Sequence, residues 1–254
     1  MKNFIIAMCF VASFSVNLLA WIGSGTQSDP YQIRNKAELN LLTDSVNNSA
    51  PAPAKNWSYD KYFKLMNDIT IPVTTKIGIT ISRSFQGHFD GNSNTIILNI
   101  AASNNNYVGL FGTIDSASIR NVTVIGSVQG NYYVGGVVGY ACRYSAILNC
   151  INTANVEGNY YVGGIIGEIN SSTASNSMNI GIIKGNDGVG GIIGYASESF
   201  ISNGINYGYV KGNSAVGGVV GYDATSHSGA TNTIFNCVNT GVAEGTGGIV
   251  GAEQ

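Results

Sequence analysis

Two histidines, four cysteines and fourteen acidic residues are the groups from which this 254-residue chain would have to build a reaction centre. His88 and His227 lie far apart, with no Cys or acidic partners at metal-ligand spacing, so no zinc site is expected. His88 stands two residues from Asp90 in Phe89-Asp90-Gly91-Asn92, which reads as a β-turn with Asp90 capping its own backbone rather than as an acid–base pair. Nucleophile-elbow and phosphate-loop patterns are absent, and no Gly-rich string opens a helix. Glycan cleavage would need two or three acids, or acids with Arg or Lys, on neighbouring coils of a repeat. Glu157, Glu168, Asp187, Glu198, Asp223 and Glu244 fall mostly in different slots, so no catalytic residue, metal or cofactor is assigned. Tyr140, Tyr195 and Tyr222 share one slot with Glu168 and form the candidate ligand surface, although plain stacking at a turn would produce the same column.

The elements that must carry these side chains are set by internal repetition. Val-Gly-Gly-hydrophobic-hydrophobic-Gly occurs at 134–139, 162–167, 189–194 and 216–221, with variants at 108–112 and 247–251. The closing glycines are spaced 27, 28, 27, 27 and 30 apart, which places an insertion around Thr225 to Thr231. Asn recurs at Asn121, Asn149, Asn176, Asn203 and Asn236, and again at Asn152, Asn179, Asn206 and Asn239. Gln129, Glu157, Lys184, Lys211 and Glu244 share a further slot that should face solvent. The segments between are short, β-branched and Gly-punctuated, which excludes helix because each interior Gly costs roughly 1 kcal/mol there. About 27 residues at roughly 3.3 Å each trace a path long enough to close one coil of two or three short strands. Propeller blades and two-helix repeats fit neither the period nor the glycines.

The expected fold is therefore all-β: a right-handed parallel β-helix, or β-solenoid, of about 27-residue repeats with an N-terminal capping α-helix. Stacked coils would join Asn121, Asn149, Asn176, Asn203 and Asn236 in a buried amide ladder. They would also keep Cys150 and Cys237 three coils, roughly 14 Å, apart, beyond disulfide reach. Cys142 and Cys150 share a coil and could meet only across a tight turn. Residues 1–20 read as a signal peptide, with Lys2 before an apolar run, and the mature chain then starts near Trp21. Residues 21–60 read as the cap: Asn35 and Glu38 make a capping-box-like start, and Leu39, Leu42 and Val46 share a helix face. Ser49 to Lys55, with Pro51 and Pro53, reads as a loop, and strands are expected at Tyr62 to Met66, Ile79 to Ile81 and Thr95 to Ile100. Residues 61–254 read as the solenoid, clear from 107 onward, with no C-terminal cap and hence a candidate self-association edge.

Composition narrows the partners. Charged residues are only 10%, against 34 Gly and 30 Asn, and removing Lys2 with the signal leaves a net charge of −3. The dispersed cations supply no basic stripe, so nucleic acid is not an expected partner. No apolar run spans a membrane once the signal is gone.

The strings Val-Gly-Gly-Val-Val-Gly-Tyr and Asn-Cys-Ile-Asn-Thr-Ala-Asn-Val-Glu-Gly resemble the GLUG-motif repeat family of secreted and surface proteins, which includes adhesin-like chains and immunoglobulin-A-cleaving peptidases. Gly23 to Tyr31 and Phe85 to Asn92 look like segments that precede such repeats. The resemblance implies a β-solenoid but no activity. The chain has no His-Glu-x-x-His zinc motif, so the family's proteolytic members lend it nothing catalytic. The expectation is an exported, non-enzymatic display protein, secreted or at the cell surface, whose partner is a cell-surface or matrix glycan or protein. A polysaccharide lyase or hydrolase on a β-helix, or a non-catalytic repeat domain of a larger surface protein, is the alternative. Sequons at Asn47, Asn56, Asn121 and Asn170 would matter only in a eukaryotic secretory pathway.

Overall fold

A computed structural model describes residues 21–49, 55–224, 231–245 and 247–253. Residues 1–20, where a signal peptide is expected, His227, most of the repeat insertion and the Pro51/Pro53 stretch lie outside the described residues. The chain winds into a β-solenoid of about seven coils, every strand pairing in parallel with its counterpart one repeat away. One coil shows the route: Val138–Cys142 on sheet II, Ala146–Leu148 on sheet I, Ile151–Asn152 and Asn155–Glu157 on sheet III, and Tyr160–Gly163 on sheet IV. Sheet I has eight strands, II six, III eleven and IV four. Pairs such as Val138 with Ile166, and Ile166 with Ile193, place the repeat columns directly over one another.

The Val-Gly-Gly string and the second Asn column explain each other. Asn152, Asn179 and Asn206 are fully buried. Asn152 donates to Asn179 Oδ1 at 2.8 Å, Asn179 to Asn206 Oδ1 at 2.8 Å and Asn206 to Asn239 Oδ1 at 2.9 Å. Each of the three buried amides also exchanges bonds with the backbone two residues on, so no polar atom there is orphaned. The amides need room, and the second Gly of the motif provides it: a Cβ on Gly164 would lie 2.2 Å from the Gly191 carbonyl and 2.6 Å from Asn179. Around them Val134, Val162, Val189 and Val216, with Val137, Ile165, Ile192 and Val219, form the apolar core.

The column Asn121, Asn149, Asn176, Asn203 and Asn236 departs from the expectation of burial. These residues are exposed or half-buried and take φ between 51° and 54°. Asn149 donates to Asn121 at 3.1 Å, Asn203 to Asn176 at 2.8 Å and Asn236 to Asn203 at 2.7 Å, but no such bond links Asn149 to Asn176. Asn recurs here because it tolerates the left-handed backbone that turns the chain from sheet I to sheet III. The slot of Gln129, Glu157, Lys184, Lys211 and Glu244 does face solvent, and Lys211 pairs with Glu244 at 3.2 Å.

Helix α1, Lys36–Asn47, starts where Asn35 accepts a bond from the Glu38 amide at 3.0 Å, and it buries Leu39, Leu42 and Val46. Asn47 ties its far end to the backbone of Lys76 and Gly78. The strand Tyr31–Ile33 pairs with Tyr62–Leu65 at the start of sheet I. The expected strand at Ile79 to Ile81 is replaced by a 3-10 turn, Ile81–Arg83. Gly78 at φ 79° bends the chain so that Ile77 and Phe85 enter the core while the residues between loop out. Cys142, Cys150 and Cys237 are all free.

Candidate functional site

Tyr140, Glu168, Tyr195 and Tyr222 stand in register on sheet II, as the repeat requires. Strand alternation turns them outward while Ala141, Ile169 and Ala196 beside them are buried. The fold sets a second aromatic column next to them: Tyr107 stacks on Tyr133 at 5.1 Å and Tyr133 on Tyr161 at 5.5 Å. A third column begins with Tyr132 stacked on Tyr160 at 4.6 Å and continues through Asp187 and Ser214. Ring contacts of 5.7 Å from Tyr107 to Tyr140 and 4.8 Å from Tyr161 to Tyr195 join the columns. Eight of the chain's fourteen tyrosines thus share one face.

Backbone geometry sharpens the picture. Tyr107, Tyr133 and Tyr161 take φ of 56°, 59° and 55°, and the next members of their column are Gly188 and Ala215. Left-handed φ costs a non-Gly residue roughly 1–2 kcal/mol, so backbone comfort favours Gly at these positions. A residue held against that preference points to a role for its side chain.

Glu168 occupies the tyrosine column between Tyr140 and Tyr195, and its carboxylate makes no ion pair or hydrogen bond among the described residues. Burial pushes that carboxyl up to about 7. Burial, reinforced by the Glu168 charge, raises the phenols of Tyr107, Tyr140, Tyr161 and Tyr195, and brings Tyr133 to about 12. These five phenols are therefore neutral hydroxyl donors at physiological pH, and Glu168 exchanges its proton there. Asp187 presents a buried Oδ1 with no hydrogen-bond partner among the described residues. The strip offers flat apolar rings with polar tips, the surface that aromatic residues bring to recognition at low entropic cost.

Sequence reading singled out Tyr140, Tyr195 and Tyr222 but passed over Tyr107, Tyr132, Tyr133, Tyr160 and Tyr161. The signal for these was the Tyr-Tyr doublet repeated immediately before Val134 and Val162. His88 and Asp90 lie on sheet I, away from this face. Asp90 accepts the Asn92 amide at 2.8 Å, as a residue capping its own turn does, and His88 faces Asp60 at 3.3 Å. Among the described residues no group of His, Cys, Asp and Glu could hold a metal, and no helix is long and apolar enough to cross a membrane.

Comparison with known proteins places the repeat. Residues 130–157, one coil, match the GLUG motif. Halomucin of Haloquadratum walsbyi is 26% identical over 173 aligned positions, which cover 53% of this chain and 2% of that much longer protein. A solved structure from Bacteroides ovatus, described as a candidate immunoglobulin A1 protease, superposes with a TM-score of 0.67 at 24% identity, covering 85% of this chain and 76% of that one. The second likeness speaks for the fold alone. By its coils the chain is a β-solenoid, and one of those coils carries the GLUG motif.

Proposed function

We propose that the chain is an exported, non-catalytic repeat protein that binds a cell-surface or matrix glycan along its tyrosine face. The observation that carries this reading is three stacked tyrosines beside a second tyrosine column, placed at left-handed corners where Gly would be free of backbone strain. The strip rises about 14 Å over three coil steps, long enough for several sugar rings. Export fits the surface proteins the repeat resembles, and the low charge leaves aromatic stacking and hydroxyl bonding as the means of adhesion. Binding of the purified chain to a glycan and extracellular-matrix panel tests the reading. Signals that survive Tyr133→Ala with Tyr161→Ala, or no signal from the folded chain, overturn it. A product released from acidic polysaccharides and lost on changing a single acid would overturn the non-enzymatic part.

A further inference from the structure

Sheet I behaves differently in its first coils from the rest of its length. Register aligns Tyr62, His88 and Ser118 in one outward column and Lys64, Asp90 and Arg120 in the next. Phe63, Phe89 and Ile119 between them point into the core. In the following coils the same slots hold Ala146 and Leu148, Thr173 and Ser175, Phe200 and Ser202, then Thr233 and Phe235, none of them charged. Plain stacking needs no charge here, so its concentration over three coils marks those coils as distinct.

The grid also lies at the bottom of a groove of about 290 Å³, walled on one side by Gln27, Ser28 and Pro30. That wall is braced, because Asp29 accepts the Ser24 amide at 2.8 Å through its side chain and the Gly25 amide at 3.0 Å through its carbonyl. The volume lies just below the roughly 300–1,000 Å³ typical of small-molecule sites, enough for a single sugar unit.

Charge bookkeeping inside the groove selects the ligand. Asp90 is already engaged on both oxygens, accepting from Asn92 N at 2.8 Å, Arg120 at 2.9 Å and Asn121 at 3.0 Å. It fixes the Arg120 guanidinium while leaving other N–H donors of that fork free to act. The Lys64 ammonium has no hydrogen-bond or ion-pair partner among the described residues, and with Asp90 in register between Lys64 and Arg120 the groove's lining keeps a net charge of +1. Across from the two cations are the Tyr62 and Ser118 hydroxyls, the Gln27 amide and the His88 ring, which stacks on Tyr62 at 4.2 Å.

We propose that this groove binds the carboxylate-bearing sugar unit of an acidic saccharide, with Lys64 and Arg120 taking the carboxylate and Tyr62, His88, Ser118 and Gln27 the hydroxyls. The site goes beyond the tyrosine-face reading, being built from other coils and another sheet, and stands or falls independently of it. Calorimetric titration of the full chain with D-glucuronate, D-glucose and acetate tests it. Glucuronate should bind, and bind at least ten-fold more tightly than either glucose or acetate. Lys64→Met, which breaks no native bond, should weaken glucuronate at least five-fold with an unchanged thermal melt, and Arg120→Gln should weaken it further. Equal affinity for acetate would reduce the groove to a bare anion site and overturn the saccharide assignment. Absence of glucuronate binding, or affinity unmoved by Lys64→Met in a folded protein, would overturn the site altogether.

Discussion

Asn179 and Asn203 are the same residue type in adjacent columns of neighbouring coils, yet their surroundings separate them. Asn179 is fully buried between two other amides, so Asn179→Ala strands bonding groups on Asn152, Asn206 and Gly181. It should cost about 3 kcal/mol in urea unfolding, whereas Asn203→Ala, half-exposed at a left-handed corner, should cost about 1 kcal/mol. Glu168 makes a pH prediction. Its folded-state carboxyl, up at about 7, lies above the unfolded value of 4.5, so its contribution to stability is fully present below 4.5 and is lost as pH rises through about 7. Urea midpoints should fall between pH 5 and pH 7.5, by about 2 kcal/mol of stability. Glu168→Gln should flatten that profile. Lys76, pushed down to about 8 by burial, acts in the opposite sense and only at higher pH, outside the measured window.

Elements show where local preference and fold agree and where they conflict. Helix α1 is locally consistent: its N-cap, its first-turn acid and its buried face all specify the same twelve residues. Asn35→Ala should lower stability by about 1 kcal/mol, read as a fall in thermal midpoint. Sheet IV instead carries a conflict at Tyr133 and Tyr161, whose rings sit on a backbone that suits Gly. Tyr161→Gly should therefore change stability by less than about 1 kcal/mol, strain relief offsetting lost ring contact. The same change should reduce glycan binding several-fold. A variant that is as stable as the parent and binds as well would separate the strain from the function.

At the scale of the molecule, each coil contacts its neighbours through parallel pairing and through Asn and aliphatic columns, so stability is close to a sum over coils and interfaces. Removal of residues 167–193 joins Ile166 to Gly194, which follows its own register partner Ile193, and closes the ladder from Asn152 to Asn206. The shortened chain should fold with the same circular-dichroism signature and a modestly lower melting point. Removal of residues 167–180, about half that length, should abolish the cooperative melt because every inward side chain downstream would lose its column.

Period, parallel stacking and the coil as the unit of architecture were legible in the sequence, because identical residues 27 or 28 apart carry their own evidence of superposition. The Asn35 cap was legible for the same kind of reason: the N-cap bond spans only three residues. Which Asn column faces inward was not. Asn149 and Asn152 differ by three positions, and only the left-handed corner at Asn149 decides that one turns to solvent and the other enters the core. The tyrosine face and the Tyr62 to Arg120 grid likewise needed the tertiary structure. Residues about 28 apart in the chain become neighbours about 4.8 Å apart once coils stack, and two different columns become one surface only when the corner between sheets IV and II sets them side by side.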